Sequence, residues 1–305
     1  MHKVMDLQQR THAWYAARRG KLTASNIGAL LGLQSWTTPK KAYQRIGGRG
    51  GSAPDQINSF CQRALDWGVD NETNAILEYS AKTGNVVEPA GFATHRTYPW
   101  IGGSPDGLIG KVGLIEVKCP FFRNKNGKLH KAVPSYYWLQ MIFCLECTGR
   151  LWCDYICWVP KEGMNVFRVY ADKEAFNFIL GYLVPIHAAV LADSADIPNM
   201  SKESKANLNE FIDKRIAAGV DKTFWIASIQ SNPPTRDPSS DTEEEDEDEV
   251  QHSKRMCLPE GGGDGESRNG GDDGNCETVR DTDTDGKWRE SAAALQAVRH
   301  TEVPM

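Results

Sequence analysis

Two carboxylates and a lysine, carried by two neighbouring segments, have the spacing of a cation-binding hydrolytic site. The first segment, 102–108, reads Gly-Gly-Ser-Pro-Asp-Gly-Leu, and the second, 114–120, reads Leu-Ile-Glu-Val-Lys-Cys-Pro. If the second segment is a β-strand, alternation places Glu116 and Lys118 on one face and their apolar neighbours on the other. The short link between the segments then brings Asp106 back beside Glu116.

This combination is suited to phosphodiester hydrolysis. Two carboxylates at a strand end can hold Mg²⁺, a hard cation that prefers oxygen ligands and keeps several waters. A bound Mg²⁺ lowers the pKa of water and neutralises charge that develops on a phosphate. Lys118 can orient the attacking water and stabilise the transition state. The pattern predicts a nuclease dependent on Mg²⁺, with Mn²⁺ as the alternative ion.

Helices and strands alternate around these residues, which predicts an α/β fold with a mixed central β-sheet flanked by helices. We expect one sheet, and we expect Ser25 to cap the second helix. The expected helices cover 7–17, 26–31, 39–46, 57–82, 135–147, 172–192 and 202–217. The expected strands cover 86–94, 98–108, 112–119, 151–159 and 165–171.

Charge divides the chain into two parts. The net charge is −5, and from Ile229 onward the sequence has 8 Lys+Arg against 20 Asp+Glu, which leaves 27 against 20 in residues 1–228. We therefore expect a mildly basic nuclease domain over 1–228, which suits a polyanionic partner. Residues 229–305, with an acidic run at 243–249 and repeated Gly and Asp, predict a disordered acidic tail. That tail could compete with DNA for the basic domain, recruit a basic partner or only aid solubility.

The composition of the chain indicates where the protein is located. The N-terminus is polar and lacks the apolar centre of a signal peptide, and no run approaches the ~20 apolar residues of a membrane span. Eight cysteines in 305 residues do not indicate a secreted disulfide scaffold. We expect an intracellular protein of the cytoplasm or nucleus, neither secreted nor bound to membrane.

The chemistry-bearing segments resemble the PD-(D/E)xK nuclease superfamily, through Pro105-Asp106 and Glu116-Val117-Lys118. This resemblance implies a restriction-endonuclease-like nuclease core. Other motifs narrow the resemblance to the lambda-exonuclease branch, the YqaJ-type viral recombinases. They occur in family order over about residues 14–160. They are Trp14, the segment Arg18-Arg19-Gly20-Lys21-Leu22-Thr23-Ala24-Ser25, the segment Trp67-Gly68-Val69-Asp70-Asn71-Glu72, and the segment Tyr136-Tyr137-Trp138-Leu139-Gln140.

The resemblance implies a role for each matching residue. Asp106 and Glu116 would bind the metal with the carbonyl of Val117, Glu72 would add a third acid, and Lys118 would serve the water. Gln140 would line the site, and Arg18 with Ser25 would bind the phosphate at a DNA end. Each has an alternative: a helix cap for Ser25, a surface arginine for Arg18, a solvent-facing acid for Glu72, and a satisfied buried amide for Gln140. The family's second glutamine is replaced by Ile142.

The resemblance also implies a substrate and partners. The expected activity is exonucleolytic digestion of double-stranded DNA from free 5′-phosphorylated ends, which leaves a 3′ single strand for recombination with a single-strand annealing protein. The family often forms ring-shaped trimers around DNA. The alternatives are a structure-specific endonuclease on the same core, and a non-catalytic DNA-binding or interaction protein that acts through its acidic tail.

Three further features have simpler interpretations. Cys144 with Cys147, and Cys153 with Cys157, fall in an expected helix and strand, which favours core thiols over a metal cluster. The tryptophans at 138, 152 and 158 have the spacing of core residues. The basic loop 123–131 could contact the DNA backbone or face only solvent.

Overall fold

The computed structural model describes residues 4–5, 7–46, 59–122 and 125–221, which form a mixed α/β fold. The helices are α1 (His12–Arg18), α2 (Ala24–Leu30), α3 (Pro39–Ile46), α4 (Ser59–Thr83), α5 (Ser135–Thr148), α6 (Lys173–Leu191) and α7 (Lys202–Gly219). The strands are β1 (Val4–Met5), β2 (Leu22–Thr23), β3 (Val87–Glu88), β4 (Phe92–Thr94), β5 (Ile101–Gly103), β6 (Gly107–Ile109), β7 (Gly113–Lys118), β8 (Phe121–Phe122), β9 (Lys125–Asn126), β10 (Trp152–Val159), β11 (Gly163–Tyr170) and β12 (Val220–Asp221).

A six-stranded mixed sheet forms the centre of the fold. Its order is β12-β11-β10-β7-β6-β3, and β7 pairs parallel with β10 and antiparallel with β6. The remaining pairs in this sheet are antiparallel. The predicted mixed central sheet flanked by helices is therefore confirmed, and β7, which carries Glu116 and Lys118, lies inside it.

A second, four-stranded sheet was not predicted from the sequence. Its order is β1-β4-β5-β2, and a short β8-β9 hairpin stands apart from both sheets. The expected strand 86–94 divides into β3 and β4, and the expected strand 98–108 divides into β5 and β6. Strands β3 and β6 lie in the six-stranded sheet, and β4 and β5 lie in the four-stranded sheet. Pro89 and Pro105 lie at the two divisions, and proline has no N–H to donate to a strand ladder. Asp106 therefore follows the point where the chain passes from one sheet to the other.

Two apolar cores lie on opposite faces of β7. Leu114 belongs to the larger core, with Leu139 and Phe143 of α5. Ile115 and Val117 belong to the smaller core under α4. The alternation expected for this strand is confirmed, and it leaves the other face of β7, towards α5, for Glu116 and Lys118.

Helix α5 is buried on nearly all sides, since ten of its 14 residues are buried. It packs against α2 and against strands of both sheets. It ends at Gly149, which takes the left-handed conformation with φ 68° and donates its backbone N–H to Leu145. The helix is thereby a fixed support between the sheets for the residues along it.

Two predictions about helix starts are wrong. The first helix begins at His12 rather than residue 7, because the Thr11 hydroxyl accepts the Trp14 backbone N–H at its start. The second begins at Ala24, so Ser25 lies in its first turn and does not cap it. Thr23 holds the cap position, because its extended backbone pairs with Gly102 in the four-stranded sheet.

Helix α6 is long and apolar enough to cross a membrane, by length and composition alone. No such run was expected from the sequence. Its residues Phe176, Ile179, Leu180 and Leu183 are buried in the larger core, which accounts for its apolar composition. The acidic tail, the domain boundary at 228 and part of the basic loop lie outside the described residues.

Candidate active site

Asp106 lies beside β7, held by two backbone contacts. Its backbone N–H donates to the Ile115 carbonyl at 3.1 Å. Its carboxylate Oδ2 accepts the Val117 backbone N–H at 2.7 Å. The first contact fixes the position of the residue and the second fixes the direction of its carboxylate. Asp106 therefore points along the strand that carries Glu116.

Glu116 is fully buried, with no exposed surface. Its Oε1 accepts hydrogen bonds from the Lys118 ammonium and from Nε2 of Gln140, the latter at 2.6 Å. Its other oxygen, Oε2, is buried and has no hydrogen-bond partner among the described residues. A buried carboxylate oxygen without a donor costs free energy, unless a cation occupies the space beside it.

Lys118 supplies the positive charge among these acids. Its side chain is 22% exposed, and its Nζ lies 4.9 Å from the centre of the Tyr137 ring. Burial lowers the pKa of Lys118, but the charges of Glu116 and Asp106 outweigh it, so that the pKa lies above its ordinary value. The neighbouring acids therefore favour the protonated form of Lys118, which donates hydrogen bonds.

The two carboxylates oppose each other's ionisation. Burial and the neighbouring charge of Glu116 raise the pKa of Asp106 well above its ordinary value. Burial also raises the pKa of Glu116, although Lys118 counteracts it. One lysine does not fully compensate two buried carboxylates, and the balance favours a further positive charge at this point.

The residues present fit a hard divalent cation. Asp106 and Glu116 supply carboxylate oxygens, and Oε2 of Glu116 is available to a ligand. Among the described residues, no three or more His, Cys, Asp and Glu side chains are grouped as a complete metal site. A site with few protein ligands suits Mg²⁺, which keeps several waters and is commonly bound through one or two carboxylates.

Glu72 faces a different partner from the one expected. Its Oε2 accepts a hydrogen bond from Arg10 Nη2 at 2.7 Å, so the structure does not bring it into the Asp106–Glu116 pair. Its charge nevertheless raises the pKa of both Asp106 and Glu116. Glu72 is therefore near the two carboxylates and adds negative charge to the site.

Arg18 and Ser25 lie together, as the resemblance implied. Nη2 of Arg18 donates to the Ser25 hydroxyl at 3.0 Å, and the guanidinium lies 4.1 Å from the centre of the Trp14 ring. Burial lowers the pKa of Arg18. The guanidinium is thus held over an aromatic face rather than extended into solvent, and we call Arg18 with Ser25 the cradle.

Two contacts that the sequence did not reveal hold α1 and the residues before it to the Asp106 loop, and Trp14, under the Arg18 guanidinium, links that loop to the cradle. The Trp14 indole N–H donates to the Ser104 hydroxyl at 2.8 Å. The Gln9 amide donates to the Pro105 carbonyl at 2.8 Å. The sequence placed Trp14 in a family motif but assigned it no role. No sequence pattern indicated Gln9, because its partner is 96 positions away.

The four cysteines considered for a cluster are core residues. Cys144 and Cys147 lie on α5, Cys153 and Cys157 lie on β10, and all four are buried. Burial raises the pKa of each thiol, to about 11 for Cys157. Raised thiol pKa values disfavour thiolate, which is the form that binds metal.

Residues 13–151 match the family described as the YqaJ-like viral recombinase domain. The chain is 29% identical over 168 residues to the uncharacterized protein R354 of Acanthamoeba polyphaga mimivirus, which is 50% of this chain and 30% of that protein. It is 27% identical over 165 residues to protein D345L of African swine fever virus, 44% of each chain. The chain therefore spans less than half the length of these viral relatives.

Two solved structures are similar to this one. The crystal structure of an alkaline exonuclease from Laribacter hongkongensis, LHK-Exo, has a TM-score of 0.46 and 29% identity, covering 68% of this chain and 98% of that chain. The same exonuclease in complex with dAMP has a TM-score of 0.44 and 25% identity, covering 68% and 100%. The matched segment, residues 13–151, contains Trp14, Asp106, Glu116, Lys118 and Gln140, and over it this chain is similar to YqaJ-like viral recombinase domains.

Proposed function

We propose that this protein is a metal-dependent deoxyribonuclease that digests double-stranded DNA from free, 5′-phosphorylated ends. One observation carries the proposal: Asp106, Glu116 and Lys118 converge at one strand end, and the buried Oε2 of Glu116 has no hydrogen-bond partner among the described residues. The domain family supports a nuclease of viral recombination type.

Asp106 and Glu116 would hold Mg²⁺, or Mn²⁺ as the alternative ion, and we assign the backbone carbonyl of Val117 to the same site. A bound cation supplies a lower pKa for water and charge neutralisation at the phosphate. Lys118, held protonated by the acids around it, donates hydrogen bonds to the attacking water or the phosphate oxygens. Gln140 keeps the Glu116 carboxylate in one orientation through its 2.6 Å hydrogen bond.

The cradle would select the end of the DNA. A guanidinium binds phosphate through two parallel hydrogen bonds, and Arg18 already lies 3.0 Å from the Ser25 hydroxyl. Trp14 and Ser104 connect the cradle to the Asp106 loop, so a 5′-phosphate held there sits at a fixed distance from the cleavage site. This arrangement supports a preference for phosphorylated ends.

A role in recombination completes the proposal. The product, a 3′ single strand, is the substrate of a single-strand annealing protein, which we take as the partner. A homotrimer around DNA and an intracellular location, in the cytoplasm or nucleus of the host, belong to the same proposal. Sedimentation of the full chain with and without duplex DNA measures the oligomer.

The test is digestion of linear duplexes with 5′-phosphate or 5′-hydroxyl ends, with Mg²⁺ or EDTA, by wild type and Asp106→Ala. We expect digestion from 5′-phosphate ends in Mg²⁺ and none in EDTA. Asp106→Ala should abolish this digestion. Cleavage of closed circular DNA at the same rate would identify an endonuclease instead. No digestion under any metal, with duplex still bound, would identify a non-catalytic DNA-binding protein.

A further inference from the structure

Three aromatic rings lead from Lys118 to the surface. Tyr137 lies under the Lys118 ammonium at 4.9 Å. The ring of Tyr136 meets that of Tyr137 edge-on, with centroids 4.4 Å apart, and Trp36 meets Tyr136 edge-on at 5.0 Å. We call Tyr137, Tyr136 and Trp36 the aromatic row. It begins at the catalytic lysine of the proposed site and ends at an indole.

The middle of the row is fixed by α2. A Cβ built on Gly28 would lie 2.7 Å from Cβ of Tyr136, so the helix backbone presses directly on this tyrosine. Ser25 of the cradle precedes Gly28 by three residues, about 4.5 Å along the same face of the helix. Tyr136 is therefore about one helical turn from the cradle, and the row lies beside the place where we position a DNA phosphate.

The outer end of the row is open. Trp36 lies in the link between α2 and α3 and remains 37% exposed. It is absent from both apolar cores, which hold Trp138 and Trp158 instead. An exposed indole backed edge-on by a tyrosine offers an aromatic face at low cost in conformational entropy, which is the usual platform for a nucleobase.

We propose that Trp36, supported by Tyr136, stacks on an unpaired base of the DNA strand next to the phosphate being cleaved. This inference rests on the proposed function and adds a base contact to it. Stacking needs only a π-face, so the contact is independent of sequence and suits an enzyme that digests any DNA end. It also holds the terminal nucleotide away from its complement while the phosphate remains between the cradle and Lys118.

The experiment is a double-mutant cycle that measures DNA affinity, with Trp36 as one partner and a single base as the other. The full chain, wild type or Trp36→Leu, is titrated in EDTA against 5′-phosphorylated duplexes that carry a single abasic residue at one of the first three positions of either end. At one position we expect the abasic residue to weaken binding to the wild type by about tenfold. Trp36→Leu should weaken binding to intact DNA by the same factor. Binding of Trp36→Leu to the abasic DNA should be no weaker than binding with either change alone.

Two variants control the result. Trp36→Phe keeps an aromatic face and should restore most of the affinity. Tyr170→Ala removes an aromatic ring of similar exposure, 46%, whose strand partner Trp152 pairs with Gly113 at the far end of β7 from Lys118. It should not change affinity.

The proposal is overturned if the losses from Trp36→Leu and from the abasic residue multiply at every position, since the residue and the base then act separately. The proposed nuclease survives that outcome if digestion in Mg²⁺ still depends on Asp106. If the wild type binds no duplex, the stacking proposal fails; if it also digests no duplex in Mg²⁺, the proposed nuclease fails with it.

Discussion

Gln140 donates its amide to the buried Glu116 carboxylate across 2.6 Å, from the centre of a helix that is buried on nearly all sides. The same oxygen, Oε1, accepts from Lys118. Two donors on one oxygen leave Oε2, which is buried, without a partner among the described residues. The amide thus leaves Oε2 as the carboxylate oxygen for the proposed cation.

Replacing Gln140 tests this orientation. Gln140→Met removes the donor while it keeps much of the volume, and we expect a 10- to 100-fold loss of cleavage rate, about the effect of removing a partner that orients a metal ligand. Titration of the rate with Mg²⁺ should show a weaker apparent affinity. Ile142→Val, two residues along α5, is the control and should cost stability alone, about 1 kcal/mol. A wild-type rate in Gln140→Met would mean that the amide only fills space.

Trp14→Phe separates packing from hydrogen bonding at the cradle. The phenyl ring can still support Arg18, but the donor to Ser104, now at 2.8 Å, is lost. Because the cradle is then less firmly joined to the Asp106 loop, we expect cleavage from 5′-phosphate ends to fall by about tenfold. Cleavage from 5′-hydroxyl ends should change less, which lowers the ratio of the two rates. Tyr15→Phe, at the neighbouring exposed residue, should leave that ratio unchanged.

Glu146 gives a stability that depends on pH. Burial raises its pKa, but hydrogen bonds from His95 and Lys173 outweigh burial and hold the pKa below its ordinary value. A carboxyl with a lowered pKa stabilises the fold above its unfolded pKa, and this contribution is lost as the pH falls through the folded value. Glu146→Gln should therefore destabilise the protein at pH 7, and the difference should shrink in acid.

Urea unfolding at pH 7 and at successively lower pH values measures this difference. Glu210→Gln is the matched control, because Glu210 pairs with Lys214 on the surface, where both side chains are largely exposed. It should change the free energy of unfolding little at any pH. A constant difference between wild type and Glu146→Gln, down to the lowest pH at which both fold, would contradict the assignment.

Deletion of the acidic tail tests whether it competes with DNA. The tail, 229–305, lies outside the described residues. The prediction rests on its composition, 20 acidic residues against 8 basic ones. If it occupies the basic domain, the chain 1–228 should cleave faster than the full chain at low salt. The two rates should converge at about 0.5 M salt, where screening is strong. Equal rates at low salt would dismiss the hypothesis.

The part of the site formed within one hairpin could be read from the sequence. Asp106 and Glu116 are ten positions apart, and strand alternation with a short link is enough to bring them together. The same local argument placed Lys118 on the face of Glu116. It also gave α3 its bounds, 39–46, as the structure has them.

Contacts between distant segments could not be read in this way. Trp14 and Ser104 are 90 positions apart, and their hydrogen bond depends on how α1 packs on the second sheet. The pairing of Glu72 with Arg10 has the same origin, since 62 positions separate the two residues. Local periodicity also cannot show that β5 and β6 belong to different sheets, because both have strand character and only their partners differ.

Asp106→Asn should make the protein more stable and inactive. The pKa of Asp106 is raised by burial and by Glu116, so its charge is a cost to the fold when no cation is bound. Asparagine keeps an oxygen that accepts the Val117 N–H, now bonded at 2.7 Å, and carries no charge. In EDTA we expect the Tm of the variant to rise by about 2–4 °C, the equivalent of about 1 kcal/mol for a domain of this size. Cleavage in Mg²⁺ should fall by about a thousandfold or more.

Magnesium should reverse the order of stability. In the proposed site, Mg²⁺ would bind the folded wild type through Asp106 and Glu116, so millimolar Mg²⁺ should raise the Tm of the wild type by a few degrees. The variant, with one carboxylate fewer, should show little or no rise. Asp70→Asn, an exposed residue on α4, is the control and should behave as the wild type with and without Mg²⁺. An Asp106→Asn variant that is less stable than the wild type in EDTA would show that the carboxylate supports the fold, and the assignment of Asp106 as a metal ligand would lose this argument.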